Sequence, residues 1–398
     1  MRIASFAKGL RTAASELAER IAWGERAGIT YDGKRRLATS LGRAKALTWV
    51  DYKLRYERGG IAQRLVDAYP GATWAGGADV YEDPDPDVST TFEEDVQALV
   101  KATALWSKFQ RADIQAGLSD KGYSVLLVGV ADDRPLSEEM PLLRSIDQVT
   151  YVRPVPSWRA PITRFEDNAS SPRYGLPLFY SLSLNKDPRT DGGTVVQVHH
   201  SRIIHIADGL MLDDVYGRPR LRAAWDLLDD LDKVVGGGAE ALWRRMDPGM
   251  QFDIDPAYRL SEPQKQEMRD QIDRYTHLAE RVLRTTGVKI TPLTAGVAPF
   301  ADAADCVLSL LSATERVPQR ILMGSERGEL ASTQDRSNWA DAVDERRTDR
   351  AEVWVRDLID RLIKYRAISE PEEAPDEYTV GWAEMDELTL TEKITAAK

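Results

Sequence analysis

Three of the chain's four histidines fall inside seven positions, in the stretch VQVHHSRIIHIADG at 196–209. His199, His200 and His205 raise metal binding first, because neutral imidazole is a common zinc ligand. The spacing argues against it. Adjacent residues in an extended chain point to opposite faces, so His199 and His200 do not converge on one ion. His205 lies in the next predicted strand, and no cysteine or carboxylate pair stands nearby to complete three or four ligands. Structural histidines at a strand–turn–strand corner are the better reading.

The acidic turn EDPDPD at 82–87 is the second candidate. Asp83, Asp85, Asp87 and Glu94 match positions 1, 3, 5 and 12 of a calcium-binding EF-hand loop. Position 6 requires glycine and is Val88, while Pro84 and Pro86 stiffen the turn. An exposed acidic turn is favoured. No GxxxxGK[ST] phosphate loop occurs, which excludes a P-loop ATPase. GSERG at 324–328 is not a GxSxG nucleophile elbow. Cys306 stands on a predicted apolar helix face and reads as a packed thiol. No catalytic residue, cofactor site or metal site is assigned.

These residues must be positioned by a chain of 398 residues with 42% hydrophobic content, enough for more than one domain and a substantial core. A single cysteine excludes a disulfide framework and a cysteine-rich zinc site. No apolar run reaches the roughly 18 residues of a membrane span. Glu16, Glu19 and Arg20 break the N-terminal apolar stretch, a poor signal peptide and a better amphipathic helix. The expectation is a soluble, intracellular protein without membrane contact. Net charge is −11 but uneven: residues 1–45 hold ten Lys/Arg against four acids, +6, leaving −17 for the rest. A body this acidic does not grip a phosphate backbone over its whole surface. The basic arm reads as a solvated tail, with nucleic-acid contact as the alternative.

Residues 47–70 predict two short helices broken at Gly59–Gly60 and stopped by Pro70. Thr91 and Glu94 have capping-box spacing for a long helix to about Leu118, its face formed by Val96, Leu99, Val100, Trp106, Phe109 and Ala112. Runs at 123–130, 148–154, 174–184, 194–198 and 202–207 predict an antiparallel sheet, with a DGG turn at 191–193. One helical pattern then covers 219–246, interrupted by Gly236, Gly237 and Gly238, where the helix bends or another backbone approaches closely. A strand at 250–255, a helix from Ser261 ending at Gly287 and a strand at 288–293 form a small insert before another helix at 299–317. A Gly-rich loop at 323–332 precedes a last long helix from Ser332, capped with Asp335, to about Arg366. An acidic tail follows. The fold class is α+β.

VHHSRIIHIADG followed by DDVYGRPRLRAAWDLLDDLDKV resembles a segment of tailed-bacteriophage portal proteins. The matching residues are His199 or His200, Ser201, Arg202, Ile203, Ile204, Tyr216, Gly217 and Pro219. ERVPQRILMGSERGELASTQDRSNWADAVDERR and YERGGIAQRLVDAYPGATWAGG are similar to two further portal segments, in the same order. Together they cover about 45–365.

The resemblance implies a ring, usually of about twelve identical subunits closed by head-to-tail interfaces. It implies a basic arm at 1–44, an antiparallel β-rich wing at 45–218, and a two-helix stem at 219–246 and 299–318. A small α/β clip would take 247–298, a tunnel loop and long wing helix 319–365, and a crown 366–398, short or trimmed. Ser325, Glu326, Arg327 and Glu329 would face the DNA channel, with an exposed helix connector as the alternative for that loop. Arg269, Asp270, Arg274 and Arg281 of the clip would face terminase or adaptor proteins, and Trp225, Gly236, Gly237, Gly238 and Trp243 would pack the stems. Implied partners are double-stranded DNA, the large terminase subunit, capsid and scaffolding proteins, and head–tail connectors. Such a protein is assembled in the host cytoplasm and resides at one capsid vertex, with no cofactor and no catalytic activity. Two alternatives remain: a metal-dependent phage enzyme using 82–94 or 199–205, and another ring-forming head component.

Overall fold

The computed structural model describes residues 46–83, 85, 88–184, 194–246, 250–254, 261–276, 288–292, 299–324, 330–372 and 377–385. Its chain divides into two compact units, 1–226 with 311–398, and 227–310. Both mix helices with antiparallel strands, the expected α+β class.

The first unit opens with α1 (Trp49–Arg58) and α2 (Gly60–Thr73). Pro70 lies inside α2 and does not stop it. Proline removes the N–H that would reach the carbonyl four residues earlier. That carbonyl, on Val66, instead accepts from Arg220 Nη1 at 2.9 Å, so a side chain from elsewhere satisfies the helix.

After the strand β1 (Ala78–Tyr81), the expected single helix is two: α3 (Thr91–Thr103) and α4 (Leu105–Leu118), parted by Ala104 at φ 51°. The cap is Thr90, not Thr91, and its partner is Glu93, not Glu94. Glu93 wins because its carboxylate also accepts the backbone N–H groups of Glu82 and Asp83, at 3.0 and 3.2 Å. The break at Ala104 turns Trp106 onto Gly77, where a Cβ would lie 2.2 Å from the indole.

Two three-stranded antiparallel sheets follow. β2 (Tyr123–Val130) is central between β3 (Val149–Pro156) and β7 (Ile203–Ala207); β5 (Pro177–Leu184) is central between β4 (Ile162–Phe165) and β6 (Thr194–His199). Strand alternation sets the layers. Leu126, Val128, Ile204 and Ile206 enter a core with helices α3 and α4, while Tyr123, Val125, Leu127 and Ile203 pack with Tyr180, Leu182 and Val198 of the second sheet. Both faces of β2 are therefore covered, which explains its mainly apolar sequence. Its one hydroxyl apart from Tyr123, on Ser124, donates to the Ala112 carbonyl at 2.6 Å. Each buried Val, Leu or Ile contributes about 1.5–3 kcal/mol. The anticipated DGG turn lies outside the described residues.

A helix α5 (Leu221–Met246) leads out of this unit. In the second unit, β8 (Met250–Ile254) pairs antiparallel with β9 (Val288–Pro292), and α6 (Glu262–Thr276) lies between them in sequence. Ser261 donates its backbone N–H and hydroxyl to Gln264, the expected cap. Met268, Ile272 and Tyr275 are more shielded than Arg269, Asp270 and Arg274, as helical spacing requires. The anticipated stop at Gly287 lies outside the described residues. The helix α7 (Ala301–Glu315) returns the chain.

The short α8 (Gln319–Met323) precedes the last helix, which already runs from Leu330, so Ser332 is not its cap. Instead Asp335 pairs with Arg320 at 3.6 Å. The helix is α9 (Leu330–Arg346), a π-helical turn (Arg347–Ala351) and α10 (Glu352–Lys364). Beyond it, β10 (Thr379–Trp382) pairs antiparallel with β1, and Ala367, Ile368, Tyr378 and Val380 enter the first unit's main core. The described part of the segment expected as a crown is thus built into the body.

Candidate functional site

The histidine corner carries the chain from one sheet to the other: β6 ends at His199, a 3-10 turn spans His200–Arg202, and β7 begins at Ile203. Hydrogen bonds hold most of the corner's described polar groups. The Ser201 hydroxyl donates to His199 Nδ1 at 2.9 Å and accepts from the Met140 N–H at 2.9 Å. His205 Nε2–H donates to the Val215 carbonyl at 2.8 Å, and its Nδ1 accepts from Tyr180 at 3.1 Å. Burial pushes the pKa of His205 down to about 4. Burial and the nearby Arg173 charge push His200 down to about 3. His200 Nδ1 is buried without a partner.

Arg202 is the corner's anchor. It is fully buried, forks onto Asp132 at 2.6 and 3.2 Å, and donates to the Glu138 carbonyl at 3.1 Å. From α10, Arg361 donates to the carbonyls of His200 and Ile203. The ring nitrogens of His205 thus face protein groups, and among the described residues no three His, Cys, Asp or Glu side chains form a metal-binding group. Cys306 is exposed rather than packed. It sits two residues before buried Leu308, which at 100° per residue places it on the far side of α7.

A second polar cluster, which the sequence does not announce, lies where α5 begins. Asp113, fully buried on α4, accepts from Arg346 at 2.7 and 2.9 Å, from Arg220 at 2.8 Å and from the Trp74 indole at 3.1 Å. Asp208, which follows β7, bridges the same two arginines at 2.8 and 3.0 Å. Burial alone would raise the Asp208 pKa, but the Arg346 and Arg220 guanidiniums outweigh it and hold the carboxyl well below its usual range. Two carboxylates facing two guanidiniums leave no net charge inside, the condition for a tolerable buried ionic cluster. The geometry can fix the root of a helix.

The expected packing residues differ in surroundings. Trp225 meets Tyr52 edge-on at 5.6 Å and lies under Arg55 at 5.0 Å. Trp243 is 74% exposed. A Cβ on Gly238 would lie 2.6 Å from the Phe300 ring, whereas among the described residues one on Gly236 or Gly237 would meet nothing within 4 Å. The glycines therefore do not break α5, and one of the three serves a close approach. Arg269 and Arg274 are exposed on α6, and Asp270 accepts from the Gln266 amide at 3.0 Å. Ser325, Glu326, Arg327, Glu329 and Arg281 lie outside the described residues.

Residues 51–398 match the family model described as phage portal protein. The chain belongs to the phage portal protein family. That family is structural rather than enzymatic. No relative is found among curated proteins. Among solved structures, a chain of the virion of a native gene transfer agent particle is similar at a TM-score of 0.55 and 14% identity, covering 89% of this chain and 88% of its own. A chain from the neck of an empty particle of that kind, computed with C6 symmetry, has a TM-score of 0.56 and 15% identity, covering 87% and 88%. One from the native neck, computed with C12 symmetry, has 0.53 and 14%, covering 84% of each. At such identities the likeness concerns the fold. Among the described residues no helix is long and apolar enough to cross a membrane.

Proposed function

We propose that this chain forms a closed ring of identical subunits, about twelve, at one capsid vertex, and that the ring is the conduit for double-stranded DNA in packaging and ejection. The observation that carries the reading is the family match over 51–398; the C12 and C6 symmetries of the similar neck structures support it. On this reading α5 and α7 are the stem, residues 247–298 the clip facing terminase and later connectors, and the 322–334 segment the tunnel loop with Arg327 toward DNA. The described residues 366–372 and 377–385 then belong to the wing, leaving a crown only beyond them. Residues 46–398 carry −17, so an acidic bore repels the phosphate backbone and lets DNA slide. Trp243 and the open sides of Gly236 and Gly237 would meet a neighbouring stem. Negative-stain imaging of the purified protein tests this: turbine-shaped rings with a central hole are expected, and a uniformly monomeric particle overturns it.

A further inference from the structure

Behind the histidine corner, a cavity of about 220 Å³ is lined by Arg173, His200, Arg361, Lys364, Asp357 and Asp360, with Ser201 and Tyr365. The polar groups around it are unevenly satisfied. Asp357 pairs with Arg361, and Asp360 accepts from the Tyr378 hydroxyl at 2.6 Å. Arg361 also donates to the two corner carbonyls. The other two cations have no such partner: among the described residues no carboxylate forms an ion pair with Arg173 or Lys364.

Among the described residues, Arg173 makes a side-chain bond only to the Pro177 carbonyl, at 3.0 Å, and its Nε is buried without a partner. Among the described residues, Lys364, which is exposed, meets only the face of Tyr365, at 5.4 Å. His200, which also lines the cavity, has its Nδ1 buried without a partner. Two guanidiniums and an ammonium thus face one small space with two carboxylates, both already engaged. Burial and the Arg361 charge push the Arg173 pKa down, the signature of a cation lacking its counter-ion.

We infer that this cavity is an oxyanion site, in which the Arg173 guanidinium and Lys364 Nζ bind a phosphate or carboxylate group beside His200. A guanidinium edge suits two oxygens of such a group, and an ammonium adds a point charge. The lining retains a net positive charge with His200 neutral, and the volume admits a group of phosphate size. Two sources share this chemistry: free inorganic phosphate, or a carboxylate side chain of a second copy. The second source rests on the ring reading; the site itself does not.

Inorganic phosphate titrated calorimetrically into the purified protein, at ionic strength matched with sodium chloride, tests the inference. Separated protomers should bind about one phosphate per chain saturably. Arg173→Gln should weaken that binding at least tenfold and Lys364→Gln severalfold, with circular dichroism confirming the fold of each. If Arg173→Gln does not fold, Lys364→Gln carries the comparison. A free anion is the occupant if assembled rings bind phosphate as protomers do. A neighbour's carboxylate is the occupant if rings exclude phosphate and Arg173→Gln lowers ring yield. No saturable binding to the protomer, or binding unchanged in the folded variants, overturns the site. Failure to form rings would count against the portal reading and leave the protomer titration intact.

Discussion

Arg346 and Asp113 stand 233 positions apart and hold each other by two hydrogen bonds, of 2.7 and 2.9 Å, with the carboxylate fully buried. Burial opposes the Arg346 charge, yet Asp113 and Asp208 outweigh it and raise the guanidinium's pKa. The pair ties the last helix to α4, and Arg220 draws the root of α5 into the same cluster. At the start of the π-helical turn, Arg347 also reaches inward, to the Ala72, Thr73 and Ala383 carbonyls.

Asp113→Ala leaves Arg220 and Arg346 facing one another with only Asp208 between them. Removing one partner of a buried ion pair destabilises by about 3–5 kcal/mol. Chemical denaturation followed by tryptophan fluorescence should report a loss of that size. A change below about 1 kcal/mol would mean that water enters the cluster freely.

At the histidine corner, Arg202→Lys keeps the charge and removes the fork onto Asp132. A lysine amine cannot also reach the Glu138 carbonyl in the same geometry. The expected loss is about 2–3 kcal/mol, because a buried polar group is left unmade. Asp132→Asn should lose less, its amide oxygen still accepting one bond. Equal melting temperatures for both variants and the parent would contradict this account.

Acid should destabilise the corner. His205 is held neutral with its pKa lowered to about 4 from an ordinary 6.5. The unfolded chain therefore takes up a proton first as pH falls below 6.5, and stability declines until about pH 4. Glu315 acts in the opposite direction. Burial raises its pKa to about 7, against Arg220. Its neutral form is favoured in the fold, so its contribution is complete below about pH 4.5 and is lost as pH rises through 7. Glu315→Gln should abolish this second trend, gaining about 2 kcal/mol over the parent between pH 4.5 and 8, after discounting for partial exposure. Urea midpoints at pH 4.5, 6 and 8 give both slopes. A parent and variant that stay parallel across that range would place Glu315 in water.

Much of this was legible from local pattern. The apolar run at 123–130 and the helical stripes at 219–246 and 299–317 appear because alternation and 3.6-residue spacing are properties of the segment itself. What escaped depends on partners distant in the chain. Pro70 reads as a stop until Arg220 takes the Val66 carbonyl. Asp113 reads as an ordinary helical acid until Arg346 arrives. Asp79 and Gly381 pair across most of the chain, through strands of four residues each that offer too little pattern to announce themselves. The doubled Thr90–Thr91 and Glu93–Glu94 made two caps equally available, and the loop N–H groups of Glu82 and Asp83 chose between them.

If the chain forms the proposed ring, the triple glycine of α5 allows folding to be tested apart from assembly. Each glycine lowers helix stability by about 1 kcal/mol relative to alanine, so their presence in a continuous helix needs a packing cause. Gly238 has one within the chain, the Phe300 ring; among the described residues Gly237 has none. Gly238→Leu should therefore lower the unfolding midpoint of the protomer itself, through overpacking of about 1–3 kcal/mol. Gly237→Leu should leave the protomer as stable as the parent, or slightly more so, and on the proposed ring reading its side chain would obstruct a neighbouring stem. Analytical ultracentrifugation of the two variants distinguishes the roles. Rings of Gly237→Leu that form in normal yield would remove the stem–stem explanation and leave that glycine without a purpose in the assembly.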